Sequence, residues 1–165
     1  MVLATYGAAA VLSAGSAPRA GGAVHGIGRL STVCAVAVQL NHTVVGAVDA
    51  SASARWLAEM LGLPAPQPAG HFWQVSTAND VGLDFASMPS GATVVPQHYA
   101  FLISEHEFDL VHARLLEGGH DTWADPRQQH PGEINHHHGG RGMYFLSNDG
   151  HYLEVLTRPY GAVPV

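Results

Sequence analysis

Lysine is absent from the 165 residues: all seven basic side chains are arginine, against 13 acids, and the formal net charge is −6. Nucleic acid and anionic membranes are both held by dense basic patches, so neither is an expected partner. Cysteine is almost absent as well. The single Cys34 has no intrachain partner, which excludes a disulfide framework and any need for an oxidising compartment during folding; it reads as a small structural thiol. No apolar run reaches the roughly 18–20 residues of a membrane span. The stretch from Leu3 to Leu12 is broken by Thr5, Tyr6 and Gly7 and has no basic segment before it, so it does not read as a signal peptide. What the chain has in excess is histidine, 12 residues in all, the usual metal ligand and proton carrier near neutrality.

Residues 1–38 are rich in alanine and glycine, and the first acid of the chain is Asp49. They are read as an extension, or as a start placed too far upstream, with the cytoplasm as the expected compartment. From Leu40 onward a regular pattern occurs twice. In residues 39–90, Gln39–Val45 reads as a strand and Ser51–Leu61 as a helix stopped by Gly62-Leu63-Pro64. Phe72–Ala78 and Val81–Ala86 follow as strands about the turn Asn79-Asp80. In residues 95–160, Gln97–Ser104 is a strand, and Ser104-Glu105-His106-Glu107 has the form of a capping box. The helix it opens carries Phe108, Val111 and Leu115 on one face and ends at Gly118-Gly119. A short strand near Asp121–Ala124, a loop from Asp125 to Arg141, and a hairpin of Met143–Leu146 with Tyr152–Thr157 complete the unit. The predicted class is α+β, two βαβββ modules forming an open cup. One helix cannot cover both faces of a four-stranded sheet, so the modules must pack together or exchange between chains.

Laying the repeat on itself aligns His42 with His98, both early in a first strand, and Asp84 with Glu154, both in a last strand. Two imidazoles and a carboxylate form a donor set for one divalent ion, and a facial set of this kind leaves positions open for a bidentate substrate or dioxygen. The expected ligands are therefore His42, His98 and Glu154, with Asp84 as a fourth candidate. Glu154 lies between Leu153 and Val155 in a hairpin that should be buried, where an unpartnered carboxylate is costly. Counting outward from the turn Asn148-Asp149-Gly150 sets Tyr144 across from Glu154, as a hydrogen-bond or proton donor. By strand alternation Val44, Ala100, Leu102 and Leu156 share the ligand face and would line an apolar substrate pocket. Arg141 is the candidate cation for an anionic or phenolate substrate, with a solvated loop charge as the alternative. Consecutive loop side chains rarely converge on one ion, so His136-His137-His138 is not read as a metal site.

These segments, Leu40-Asn41-His42-Thr43-Val44, Gln97-His98-Tyr99-Ala100-Phe101 and Asp149-Gly150-His151-Tyr152-Leu153-Glu154, resemble the vicinal oxygen chelate superfamily of glyoxalases, bleomycin-resistance proteins and extradiol dioxygenases. The resemblance runs over about residues 39–160 and implies paired βαβββ modules around one divalent ion, with His42, His98 and Glu154 in the ligand positions. It also implies a homodimer. Pro131-Gly132-Glu133-Ile134-Asn135, Gly140-Arg141-Gly142 and Arg158-Pro159-Tyr160-Gly161 are most similar to small oxygenases that resemble the ring-opening enzyme of chartreusin biosynthesis. The resulting expectation is an oxygenase with Fe(II), or else Mn(II), Zn(II) or Ni(II), acting on a small aromatic or polyketide-like substrate with adjacent oxygens. A glyoxalase-type isomerase or lyase and an antibiotic-binding protein are the alternatives. Fosfomycin-modifying members clamp a phosphonate with lysine, and Ala124 stands where that lysine would align.

Overall fold

A computed structural model of the chain describes residues 38–161. The expected extension over residues 1–37, with Cys34, lies outside them. The described part carries two four-stranded mixed sheets, each with one helix. The first module contains β1 (His42–Ala47), α1 (Ala50–Leu61), β2 (Gln67–Ala69), β3 (Phe72–Ser76) and β4 (Gly82–Ser87). The second contains β5 (His98–Leu102), α2 (Glu105–Glu117), β6 (Thr122–Trp123), β7 (Gly142–Leu146) and β8 (Tyr152–Leu156). Strand orders are β1-β4-β3-β2 and β5-β8-β7-β6, so the repeat extends to topology. In each module the first and last strands pair in parallel and the others antiparallel.

Both helices are bounded by local chemistry. The Asp49 carboxylate accepts from the Ala52 amide to cap α1, and Gly62 ends it in the left-handed region at φ 69°. A Cβ at Gly62 would also stand 2.9 Å from the Arg114 guanidinium, so strain and crowding both select glycine. The expected capping box is present at α2, with the Ser104 hydroxyl and the Glu107 carboxylate each bonded to the other's amide. Strand β2 was not anticipated. Pro64, Pro66 and Pro68 surround it, and Pro68 fits only because β2 is an edge strand.

The two modules share one core. Val45, Leu83 and Phe85 of the first sheet and Met143, Phe145, Leu153 and Val155 of the second belong to a single apolar cluster with Leu57 of α1 and Phe108, Val111 and Leu115 of α2. Polar clamps fix this union at the β7–β8 turn. Asp149 accepts from the Val48 amide at 2.8 Å and from the Ser53 hydroxyl at 2.5 Å. Buried His151 accepts from the Gln97 amide through Nδ1 at 3.1 Å and donates through Nε2 to the Gly46 carbonyl at 2.7 Å. The faces turned away from this core are open: Val44 is 48% exposed and Leu102 60%. Among the described residues no helix is long and apolar enough to cross a membrane.

Candidate metal centre

The open face of the second sheet is built by register. Ala100 pairs with Glu154 and Glu154 with Tyr144, while Leu102 pairs with Leu156, so Ala100, Leu102, Tyr144 and Leu156 surround the carboxylate as strand alternation required. Glu154 is 2% exposed. Its Oε2 is buried without a hydrogen-bond partner, and His98 Nε2 lies 3.3 Å from it. Two donors each bound about 2.0–2.2 Å from one ion stand roughly 3–3.5 Å apart, so the observed separation is that of neighbouring ligands. A buried carboxylate oxygen with nothing to accept is expensive, and a cation between it and the imidazole removes the penalty. This pair fits a divalent metal.

The other oxygen of Glu154 is taken. Oε1 accepts from the Tyr160 hydroxyl at 2.6 Å, and the Tyr144 and Tyr160 hydroxyls lie 2.9 Å apart. Because the one proton of Tyr160 is committed to Glu154, Tyr144 donates to Tyr160. Burial pushes the Tyr144 phenol well above its ordinary value, and its bond to Tyr160 and the nearby Glu154 carboxylate push it further, so it persists as a neutral donor. Burial and the bond to Glu154 raise Tyr160 as well. Sequence pattern assigns Tyr160 no role beyond its motif. It lies beyond the end of β8, where strand alternation assigns no face.

The first sheet repeats the layout. His42 pairs with Gly82, and Val44 with Asp84, which pairs in turn with Gln74. His42 Nδ1 lies 2.8 Å from the Asn41 side-chain oxygen, an acceptor, so Nδ1 carries the proton and Nε2 is left bare for a metal. Asp84 is buried and accepts from the Gln74 amide at 2.7 Å. Among the described residues no three His, Cys, Asp or Glu side chains form a metal-holding group. One chain therefore joins His98 to Glu154 but leaves His42, Val44 and Asp84 on another sheet, because the modules pack through the faces opposite these side chains.

Arg141 does not face the pocket. Its guanidinium bonds Glu105 at 2.6 Å and Asp109 at 2.7 Å, donates to the Glu105 carbonyl and stacks on Phe108, fastening β7 to α2. The solvated-charge and substrate readings both missed this role, since the partners lie 32 and 36 residues away in the chain. The loop before it is ordered by its own polar groups: the Asp125 carboxylate accepts from the amides of Arg127, Gln129 and His130, and Asn135 pairs with Gly142. Within the histidine run, the ring of His138 stands edge-on to Tyr160 at 5.3 Å.

Paired βαβββ modules with a buried glutamate beside a histidine define a metal-chelating cup. Comparison with known proteins agrees. Two solved structures, Oxidase ChaP-H1 and Oxidase ChaP-H2, are 56% and 53% identical to the chain, with TM-scores of 0.73 and 0.72; each match covers 76% of this chain and 99% or 98% of the other. A glyoxalase/dioxygenase from Nostoc punctiforme shares the fold at 22% identity and a TM-score of 0.57, over 85% of this chain and 99% of the other. Among curated proteins, Glutathione transferase FosA of Serratia marcescens is 28% identical over 123 residues, 70% of this chain and 78% of that protein. No family model matches the sequence. The chain belongs to the vicinal oxygen chelate superfamily, in the enzyme branch of the ChaP-type oxidases.

Proposed function

We propose that the chain is a divalent-metal-dependent oxygenase acting on a small aromatic or polyketide-like molecule with adjacent oxygens, assembled as a homodimer in which His42 of one copy joins His98 and Glu154 of the other. The buried, unpartnered Oε2 of Glu154 beside His98 carries the reading. The dimer draws support from the arrangement of the modules: β1 and β5 are edge strands, and the faces they border expose Val44 and Leu102. A two-fold axis that sets β1 of one copy beside the partner's β5 covers both faces and completes two ligand sets at once.

The ion favoured is Fe(II), with Mn(II), Zn(II) or Ni(II) compatible with the same donors. Bound there, it supplies a Lewis acid with open positions for two vicinal oxygens. The chain's own groups do the rest. Ala100, Leu102 and Leu156 present an apolar wall that excludes water from a planar substrate. Tyr144, held neutral, donates its proton to the Tyr160 oxygen and so offers its lone pairs as acceptors for a substrate hydroxyl. The same single cysteine that excludes a disulfide framework supports a cytoplasmic setting.

Anaerobic loading with Fe(II), followed by oxygen-electrode assay on a panel of catechols and hydroxyquinones, tests the proposal; oxygen uptake with at least one of them is expected. No uptake with any, together with turnover of methylglyoxal hemithioacetal, overturns it in favour of the glyoxalase-type reading, to which Asp84 would contribute as a fourth ligand.

A further inference from the structure

A carboxylate ligand can bind a cation through one oxygen or two, and the choice decides how many positions remain for substrate. In Glu154 the two oxygens are not equivalent. Oε2 is buried, partnerless and directed at the space beside His98, whereas Oε1 is held by the Tyr160 hydroxyl at 2.6 Å, a length typical of a charge-assisted bond. Tyr160 is in turn fixed by the Tyr144 hydroxyl at 2.9 Å and by the edge of the His138 ring. At 57% exposure it is not placed by burial, and these contacts are what orient it.

We propose, resting on the metal-centre reading above, that Tyr160 is a positioning residue that restricts Glu154 to one-oxygen ligation. By occupying Oε1 it stops the carboxylate from turning both oxygens to the ion, and so keeps one further coordination position for the second oxygen of the substrate. His138 supports the ring from the 125–141 loop, which links that loop to the metal ligand through one side chain.

The full-length protein loaded with Mn(II) reports directly on open positions, because each exchangeable water on the ion raises the relaxation rate of bulk water protons. Wild type and Tyr160→Phe are compared, with free Mn(II) measured by its electron paramagnetic resonance signal and folding checked by thermal melting; an exposed ring replaced by another ring leaves the core untouched. The expected result is that Tyr160→Phe still binds Mn(II) but loses about a third of the bound-state relaxation enhancement, three open positions becoming two. Tyr99→Phe, which removes a hydroxyl bonded to Gln97 and not to Glu154, keeps the wild-type enhancement. Equal enhancement in Tyr160→Phe and wild type overturns this inference alone, and so does an equal fall in both variants, which would mark a general packing effect. Failure of wild type to bind Mn(II) overturns the metal-centre reading and this inference with it.

Discussion

His42 and His98 hold the same place in the repeat, each two residues ahead of the strand position that faces a carboxylate, Val44 opposite Asp84 and Ala100 opposite Glu154. They nevertheless stand on separate sheets, and the faces they border do not form one metal-holding group among the described residues. If the partner copy brings them together, two defective chains can repair each other. His42→Ala and Glu154→Ala are each expected to abolish stoichiometric metal binding. Unfolded together in equal amounts and refolded, they should recover about a quarter of the wild-type metal, since half the dimers are mixed and each mixed dimer has one intact site. No recovery in the mixture, measured by elemental analysis after gel filtration, would place all ligands in a single chain.

Asp84 is the residue on which the reaction class turns. Its carboxylate is shorter than that of Glu154 and is already engaged by the Gln74 amide, whereas Glu154 keeps an oxygen free. Three protein ligands suit an oxygenase, which needs room for two substrate oxygens and dioxygen; four suit a glyoxalase. Asp84→Ala is expected to keep full metal stoichiometry and to lower stability by about 1 kcal/mol, because the half-buried Gln74 amide loses its acceptor. Loss of the metal in this variant would count against the three-ligand centre.

The repeat, the capping box and the hairpin count made the second module legible before any coordinates: a turn at Asn148-Asp149-Gly150 fixes Tyr144 opposite Glu154, and the observed register is the same. Those are short-range consequences of period and turn chemistry. Strand β2 was hidden because Pro68 argues against a strand everywhere except at an edge, and edge position is a property of the finished sheet. The contacts of Arg141 and Tyr160 are not legible in the sequence for a related reason. The partners of Arg141 lie on α2, and Tyr160 sits past the last strand, so periodicity could assign neither a face. Which faces of the two modules pack together is likewise a tertiary choice, made by Val45, Phe85, Phe145 and Val155 jointly.

The imidazole of His151 acts as a rivet between modules rather than as a ligand, although it lies in the same motif as Glu154. It accepts from the Gln97 amide with one nitrogen and donates to the Gly46 carbonyl with the other. His151→Leu fills a similar volume but leaves both backbone groups without a partner, at an expected cost of about 1–3 kcal/mol in urea unfolding. Metal binding per folded chain should be unchanged. A variant as stable as wild type would show that water satisfies both groups and that the clamp is carried by Asp149.

Arg141 gives the acid limb of the stability profile a definite shape. Hydrogen bonds from Thr157 and Arg141 lower Glu105 below its ordinary 4.5, and the bond from Arg141 lowers Asp109 below its ordinary 3.8. A carboxylate whose folded-state value is depressed stabilises the fold fully above its unfolded value and loses that contribution as pH falls through the folded one. Arg141→Gln should therefore melt at lower temperature than wild type at pH 7. The gap should start to close near pH 4.5 and be almost gone below both depressed values. Because the carboxylates are exposed, added salt should narrow the gap at neutral pH as well. A difference in melting temperature that stays constant from pH 7 to pH 2 would mean that the stacking of Arg141 on Phe108, 4.4 Å from the ring centre, and not its ion pairs, holds β7 to α2.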